Sequence, residues 1–310
     1  MSTKTKALIA VILGNSIFGF SFLFSKTALQ MTIPSVMLAI RFTTAFVVLN
    51  LIVLVGCLVK KKDGQPLIVF SLRGKPLKDV LLLSVFQPVI YFFAESYGIT
   101  YTSSAFAGTI IAVVPVIGII LDVIIMHTKV TGRQVLCAVG SVVGVAVTTL
   151  GAENMKSSAL GLFLLLFAVI SGSSFYVLSK KAGEHFSALE RTYVMFGVGC
   201  VAYILLGLFQ AKGNYEKLML VPVTTPAFWG CIFYLAVVSS VIAFMLLNFG
   251  SSHVTVSQGS LFANFATVIS IAAGILIVHE PFTVQQIVGA VIILVSVYAA
   301  TVGGTAQKEK

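Results

Sequence analysis

Two ionisable groups stand where this sequence can least accommodate charge. Glu95 and Arg41 each lie inside a stretch that is otherwise apolar enough to sit in a bilayer, where a charged side chain is costly and needs a reason. Two readings follow. In one, Glu95 couples solute movement to a proton or cation, or meets a substrate amine. In the other, Glu95 and Arg41 form a structural ion pair that cancels both charges. Neutral polar residues add to the pattern. Gln87, Tyr91 and Glu95 recur every four residues, so they share one helix face. Asn15, Phe18 and Phe22 do the same at spacings of three and four, as do Ser240, Phe244 and Asn248. Ser260, Asn264 and Thr267 form a further stripe. Their convergence predicts a solute cavity, although each residue taken singly suits interhelical hydrogen bonding equally well. Asp122 reads as interfacial, and Lys26 and Lys180, at the ends of apolar runs, read as snorkelling cations.

The elements that must position these residues are membrane spans. The chain has 310 residues, 58% hydrophobic and 10% charged, with a mean hydropathy of +1.06. Soluble domains carry roughly a quarter of their residues as charges. Runs free of Asp, Glu, Lys and Arg place ten spans near 7–25, 35–58, 79–98, 103–125, 133–151, 159–178, 188–209, 227–249, 255–277 and 284–303. Barrel strands would alternate polar and apolar residues, so unbroken hydrophobicity predicts helices. Pro88 and Pro115 are expected to kink their spans.

The net charge of +10 is a matter of topology. With the N-terminus inside, the predicted cytoplasmic segments hold Lys4, Lys6, Lys60 to Lys62, Arg73, Lys75, Lys78, Lys129, Arg133, Lys180, Lys181, Arg191, Lys308 and Lys310. The predicted outer loops hold Lys26, Lys156, Lys212 and Lys217. That asymmetry follows the positive-inside rule and needs no nucleic-acid partner. Both termini are placed in the cytoplasm of a multi-pass protein of the cell membrane. Cys57, Cys137, Cys200 and Cys231 fall inside predicted spans and read as small apolar residues, without the spacing of a metal site. No metal or other cofactor is expected.

Two halves repeat at an offset of 152. His127, Thr131 and Gln134 recur as His279, Thr283 and Gln286, and Ala138, Val139, Val143, Val145, Thr149 and Gly151 find their matches in register. Upstream, Gly98 matches Gly250, and a slip of two aligns Ser25-Lys26 with Ser179-Lys180. The Thr-x-x-Gln pairs read as capping boxes, and Gly140-x-x-x-Gly144 as a close helix contact. Residues 7–151 and 159–303 thus form two five-helix units. Because five is odd, the second unit enters the membrane inverted. Inverted repeats around a site at mid-depth characterise many secondary transporters. A solute carrier working by alternating access is therefore favoured over an intramembrane enzyme or a channel without alternating access. The four histidines lie at span ends or loops, and no His-Glu-x-x-His, Gly-x-Ser-x-Gly or phosphate-loop motif occurs.

Several segments carry a family resemblance. Phe18-Gly19-Phe20-Ser21-Phe22 followed by Lys26, Ala39-Ile40-Arg41-Phe42, Pro115-Val116, and His279-Glu280-Pro281 before Gly289 together resemble the EamA family of the drug/metabolite transporter superfamily. The sequence departs from the family pattern at Phe18, Thr128 and Thr267. The resemblance implies an all-α integral membrane protein of ten transmembrane helices with a central cavity between two repeats. It implies efflux of a small molecule such as an amino acid, metabolite or drug-like compound. The expected partners are that substrate and the bilayer; the oligomeric state is left open, a monomer included.

The charge asymmetry predicts that a cysteine placed in the loop between the second and third spans, as in Ser71→Cys, escapes a membrane-impermeant thiol reagent applied to intact cells. Inverted vesicles should label it readily. Labelling from outside would overturn the orientation.

Overall fold

A backbone in hydrocarbon must satisfy its own N–H and C=O groups, and a helix does so locally. The computed structural model describes residues 2–60, 65–114, 116–118, 120–121, 132–150, 159–254, 256–279 and 282–305. Its principal elements are α1 (Thr3–Ala28), α2 (Pro34–Leu58), α3 (Leu77–Thr100), α4 (Ser104–Ile111) and α5 (Gly132–Leu150). They continue with α6 (Ala159–Ala182), α7 (Ala188–Gln210), α8 (Pro226–Ser251), α9 (Val256–Leu276) and α10 (Val284–Thr305). No strand occurs among the described residues. Six helices, α1, α2, α3, α6, α7 and α8, are long and apolar enough to cross a membrane, and α4, α5, α9 and α10 contain shorter apolar stretches. Leu136, Phe163, Leu205 and Phe209 stand exposed on outward faces, as suits a bundle surrounded by an apolar medium.

Helix starts carry the caps that their sequences imply. Ser187 and Glu190 form a reciprocal capping box at α7. Before α10, Thr283 N donates to Gln286 Oε1 at 2.9 Å, and Gln286 N donates to Thr283 Oγ1 at 3.3 Å. Thr131 and the Gln134 side chain, the first copy of that motif, lie outside the described residues, as do Pro115, Asp122 and Glu280.

Two helices are irregular where polar residues cluster. In α3 the helix is broken within Val85–Ile90, where Gln87 leaves the helical region altogether (φ −144°, ψ 116°) ahead of Pro88. Such a break frees carbonyls, and neighbours answer them. Tyr203 of α7 donates its hydroxyl to Val89 O at 2.6 Å, and Ser171 of α6 donates to Phe86 O at 2.6 Å. In α8 the segment Tyr234–Ile242 is π-helical. Gln87 and Ser239, one in each irregular segment, are separated by the offset of 152. Wide turns of this kind recur at functional sites.

Packing joins the two halves of the chain. α2 lies against α7, α3 against α6, α1 against α8 and α9, α4 against α9, and α5 against α10. Phe42, Phe196 and Phe244 are fully buried in the main core. Close approaches occur where side chains are absent: a Cβ at Gly98 would lie 2.8 Å from the Leu165 side chain, and one at Gly250 would collide with Val11. Two sequence expectations are corrected here. Cys57 is exposed rather than packed. Lys26 does not snorkel outward but folds onto the end of α3, donating to Ile99 O at 2.8 Å and to Thr102 O. Arg191 is buried at the start of α7.

Overpacking a close helix contact typically costs about 1–3 kcal/mol. Gly98→Ala and Gly250→Ala should therefore each lower the thermal midpoint of the detergent-solubilised protein. Gly230→Ala, whose added methyl meets open space, should leave the midpoint unchanged or slightly raised. Equal behaviour of all three variants would contradict the packing.

Candidate functional site

The stripes on α1 and α3 face one another across a cavity. Asn15, Phe18 and Phe22 line it from α1, and Gln87, Tyr91 and Glu95 from α3. The break at Gln87 turns that amide to the cavity one helical turn from Tyr91. Glu95 is almost entirely buried, and its Oε1 accepts from the Tyr91 hydroxyl at 3.2 Å. Opposite stand Gly172 and Phe175 of α6. Gly172 is needed there, because a Cβ would come within 2.9 Å of the Tyr91 ring. Ser21, Phe92, Gly172, Phe175, Leu247 and Ala266 also line the cavity but stand outside the predicted stripes. Ser21, three residues after Phe18, fits the same spacing as the α1 stripe and could have been read from it, whereas the apolar members look in sequence like any core residue.

Other predicted residues serve the walls. Phe244 is fully buried behind the cavity, with its ring 5.2 Å from Phe18, 6.0 Å from Phe92 and 5.8 Å from Phe175. It therefore sets the positions of three lining rings. Thr267 donates to Gly108 O at 3.0 Å, tying α9 to α4. Asn248 accepts from Ser179 Oγ at 2.7 Å and donates to Thr192 Oγ1 at 2.9 Å. Beside it, the Arg191 guanidinium reaches Ser179, Ser251, Ser252 and the Asn248 carbonyl. This network binds the ends of α6, α7 and α8 together. The side chains of Ser260 and Asn264 lie outside the described residues.

Arg41 and Glu95 do not meet as a direct ion pair. The ion pairs among the described residues join Lys75 to Glu190 and Lys181 to Asp79. Arg41 is fully buried and turns to α8 instead. Its Nε donates to Ser240 Oγ at 3.0 Å and Nη2 donates to Ser239 Oγ at 3.2 Å. Its guanidinium carbon lies 4.3 Å from the centre of the Phe92 ring, and Nη1 has no hydrogen-bond partner. The physical reason is that the wide turn of α8 presents two hydroxyls and α3 presents an aromatic face, which together replace a carboxylate. Ser239 also accepts from Ser21 Oγ at 2.6 Å, so one serine separates Arg41 from the cavity wall. Ser240, predicted to line the cavity, holds Arg41.

One further contact crosses between the halves. The segment after α2 is fastened to the start of α7, where Glu190 accepts from Ser71 N at 3.0 Å and from Lys75 Nζ at 2.5 Å. Among the described residues, no three His, Cys, Asp or Glu side chains gather as a metal site requires.

Comparison with known proteins gives this geometry a context. The profile of the EamA-like transporter family matches residues 5–150 and 159–302. The uncharacterized transporter YcxC of Bacillus subtilis (strain 168) is 30% identical over 303 residues, covering 96% of this chain and 94% of that protein. The uncharacterized transporter YyaM of the same organism is 26% identical, covering 94% of this chain and 92% of that protein. A crystal structure 16% identical in sequence shares the fold, with a TM-score of 0.65 over 96% of this chain and 97% of the other.

A hydrogen bond to a buried charge contributes about 1.5–3 kcal/mol. Replacing both hydroxyls, as in Ser239→Ala with Ser240→Ala, should therefore lower thermal stability by about 2 kcal/mol or more. Glu95→Gln should be milder, since an amide oxygen accepts from Tyr91 as the carboxylate does. Equal damage from Glu95→Gln and Arg41→Met, repaired in the double variant, would show a direct pair instead.

Proposed function

Because this chain belongs to the EamA-like transporter family, we propose that it is a secondary transporter that exports a small organic solute across the cell membrane by alternating access. The observation that carries this reading is the cavity between α1, α3 and α6. Its wall is largely apolar and aromatic with a few convergent polar groups, two amides and a carboxylate among them, which is the usual make-up of a small-molecule site. The solute is an amino acid, a metabolite or a drug-like compound, and the protein performs no chemistry on it.

On this reading the chain makes ten crossings, as two five-helix units of opposite orientation, with both termini in the cytoplasm. Contacts that exchange under the sequence offset support the repeat. Gly98 of α3 approaches Leu165 of α6, as Gly250 of α8 approaches Val11 of α1. The two irregular segments, the break in α3 and the wide turn in α8, lie at positions related by the same offset. The cavity lies between the units, and rocking one against the other opens it to each side in turn. The Lys75–Glu190 contact joins the first unit to the second, so it must part during each cycle.

Cross-linking Lys75→Cys to Glu190→Cys with a reducible bifunctional thiol reagent, whose spacer replaces the two long side chains, should therefore stop solute counterflow in proteoliposomes, and reduction should restore it. Undiminished flux through fully cross-linked protein would point to a channel.

A further inference from the structure

Among the described lining residues Glu95 is the one carboxylate, and none is Lys, Arg or His. The nearby cation attracts it from a distance but makes no direct contact with it. Arg41 is wholly buried and spends its guanidinium on Ser239, Ser240 and the face of Phe92. It stands behind the wall, and the cavity itself presents negative and π-electron-rich groups. Phe18, Phe22, Tyr91, Phe92 and Phe175 supply the rings, and aromatic faces attract cations most strongly where water is excluded. Asn15 and Gln87 supply amides that can accept from an ammonium.

We propose that the cavity takes an organic monocation, a protonated amine on an apolar or aromatic body, with its ammonium at Glu95 and its body among the rings. This deepens the transporter reading and rests on it. A zwitterion fits worse, because its carboxylate finds no cation on the wall, and the Arg41 guanidinium lies beyond Ser21 and Ser239. An anion fits worst, since it meets Glu95 directly. A buried carboxylate and an added carboxylate repel, whereas a buried carboxylate and an ammonium each meet part of the other's desolvation cost.

The test uses three probes with one ring and three charges: 2-phenylethylamine, phenylalanine and 3-phenylpropionate. Their binding to the purified full-length protein in nanodiscs is measured by calorimetry. The amine is expected to bind at least tenfold more tightly than phenylalanine, with 3-phenylpropionate weakest. Glu95→Gln should lower amine affinity at least tenfold while a mild Tyr91→Phe change keeps the order of the three. The comparison on the unmodified protein stands even where a variant fails to fold. Equal affinities, a preference for phenylalanine or the acid, or no binding of the amine would overturn the proposal. Counterflow of the same amine in proteoliposomes separates the two readings. Binding without counterflow leaves the cation site standing and contradicts the carrier. Counterflow of another solute with no amine binding leaves the carrier standing and removes the cation site.

Discussion

Every polar group in an apolar medium must find its partner within the protein, and the bundle is organised around that constraint. Its clearest expression is Arg41. A guanidinium with no solvent exposure would be intolerable unless several groups surrounded it. α8 provides two of them by widening its turn at Ser239 and Ser240, and α3 provides the Phe92 ring. The same constraint shapes α3. The carbonyls released around Gln87 and Pro88 are taken up by Tyr203 and Ser171, so the break is held open by neighbouring helices. Arg191 repeats the solution at the other cluster, where hydroxyls and carbonyls stand in for an acid.

The cavity is a consequence of these arrangements. With Arg41 held by α8, Glu95 is left to Tyr91 and to the open space beside it. Gln87 reaches that space because its backbone departs from the helix. Gly172 leaves room for the Tyr91 ring, and Phe244 braces three lining rings from behind. A polar, aromatic chamber thus forms in a bundle whose outward faces are apolar, which is the division of labour a solute carrier needs.

Much of this was legible in the sequence. Charge-free runs located the helices within a few residues, save the fourth, expected over 103–125 and described as Ser104–Ile111, because length and hydropathy alone decide what can sit in hydrocarbon. Spacings of three and four on α1 and α3 picked out six residues of the cavity wall, since periodicity reports the shared face of a helix directly. It does not report what that face meets. The stripe on α8 is as regular as the others, yet Ser240 holds Arg41, Phe244 lies behind the rings, and Asn248 ties three helices together. Which reading applies depends on the neighbouring helix, and that information is not local in the chain. The pairing of Arg41 with Glu95 survives as an attraction between two buried charges but not as a direct contact, for the same reason. Opposite charges on adjacent spans suggested each other, whereas the wide turn of α8, invisible in composition, offered Arg41 nearer partners. The burial of Arg191 had no sequence signal, because it depends on Ser179, Ser251 and Ser252, from two other helices, closing over it.

The central claim is that one chamber, lined by Asn15, Gln87 and Glu95, is reached from each side of the membrane in turn. The most direct measurement is the rate at which a membrane-impermeant thiol reagent modifies an Asn15→Cys variant, otherwise free of cysteine, in proteoliposomes of uniform orientation. The account predicts modification from either face when the reagent is applied to that face alone, with transported solute slowing both reactions. Access from only one face under every condition, or modification that solute leaves untouched, would contradict it.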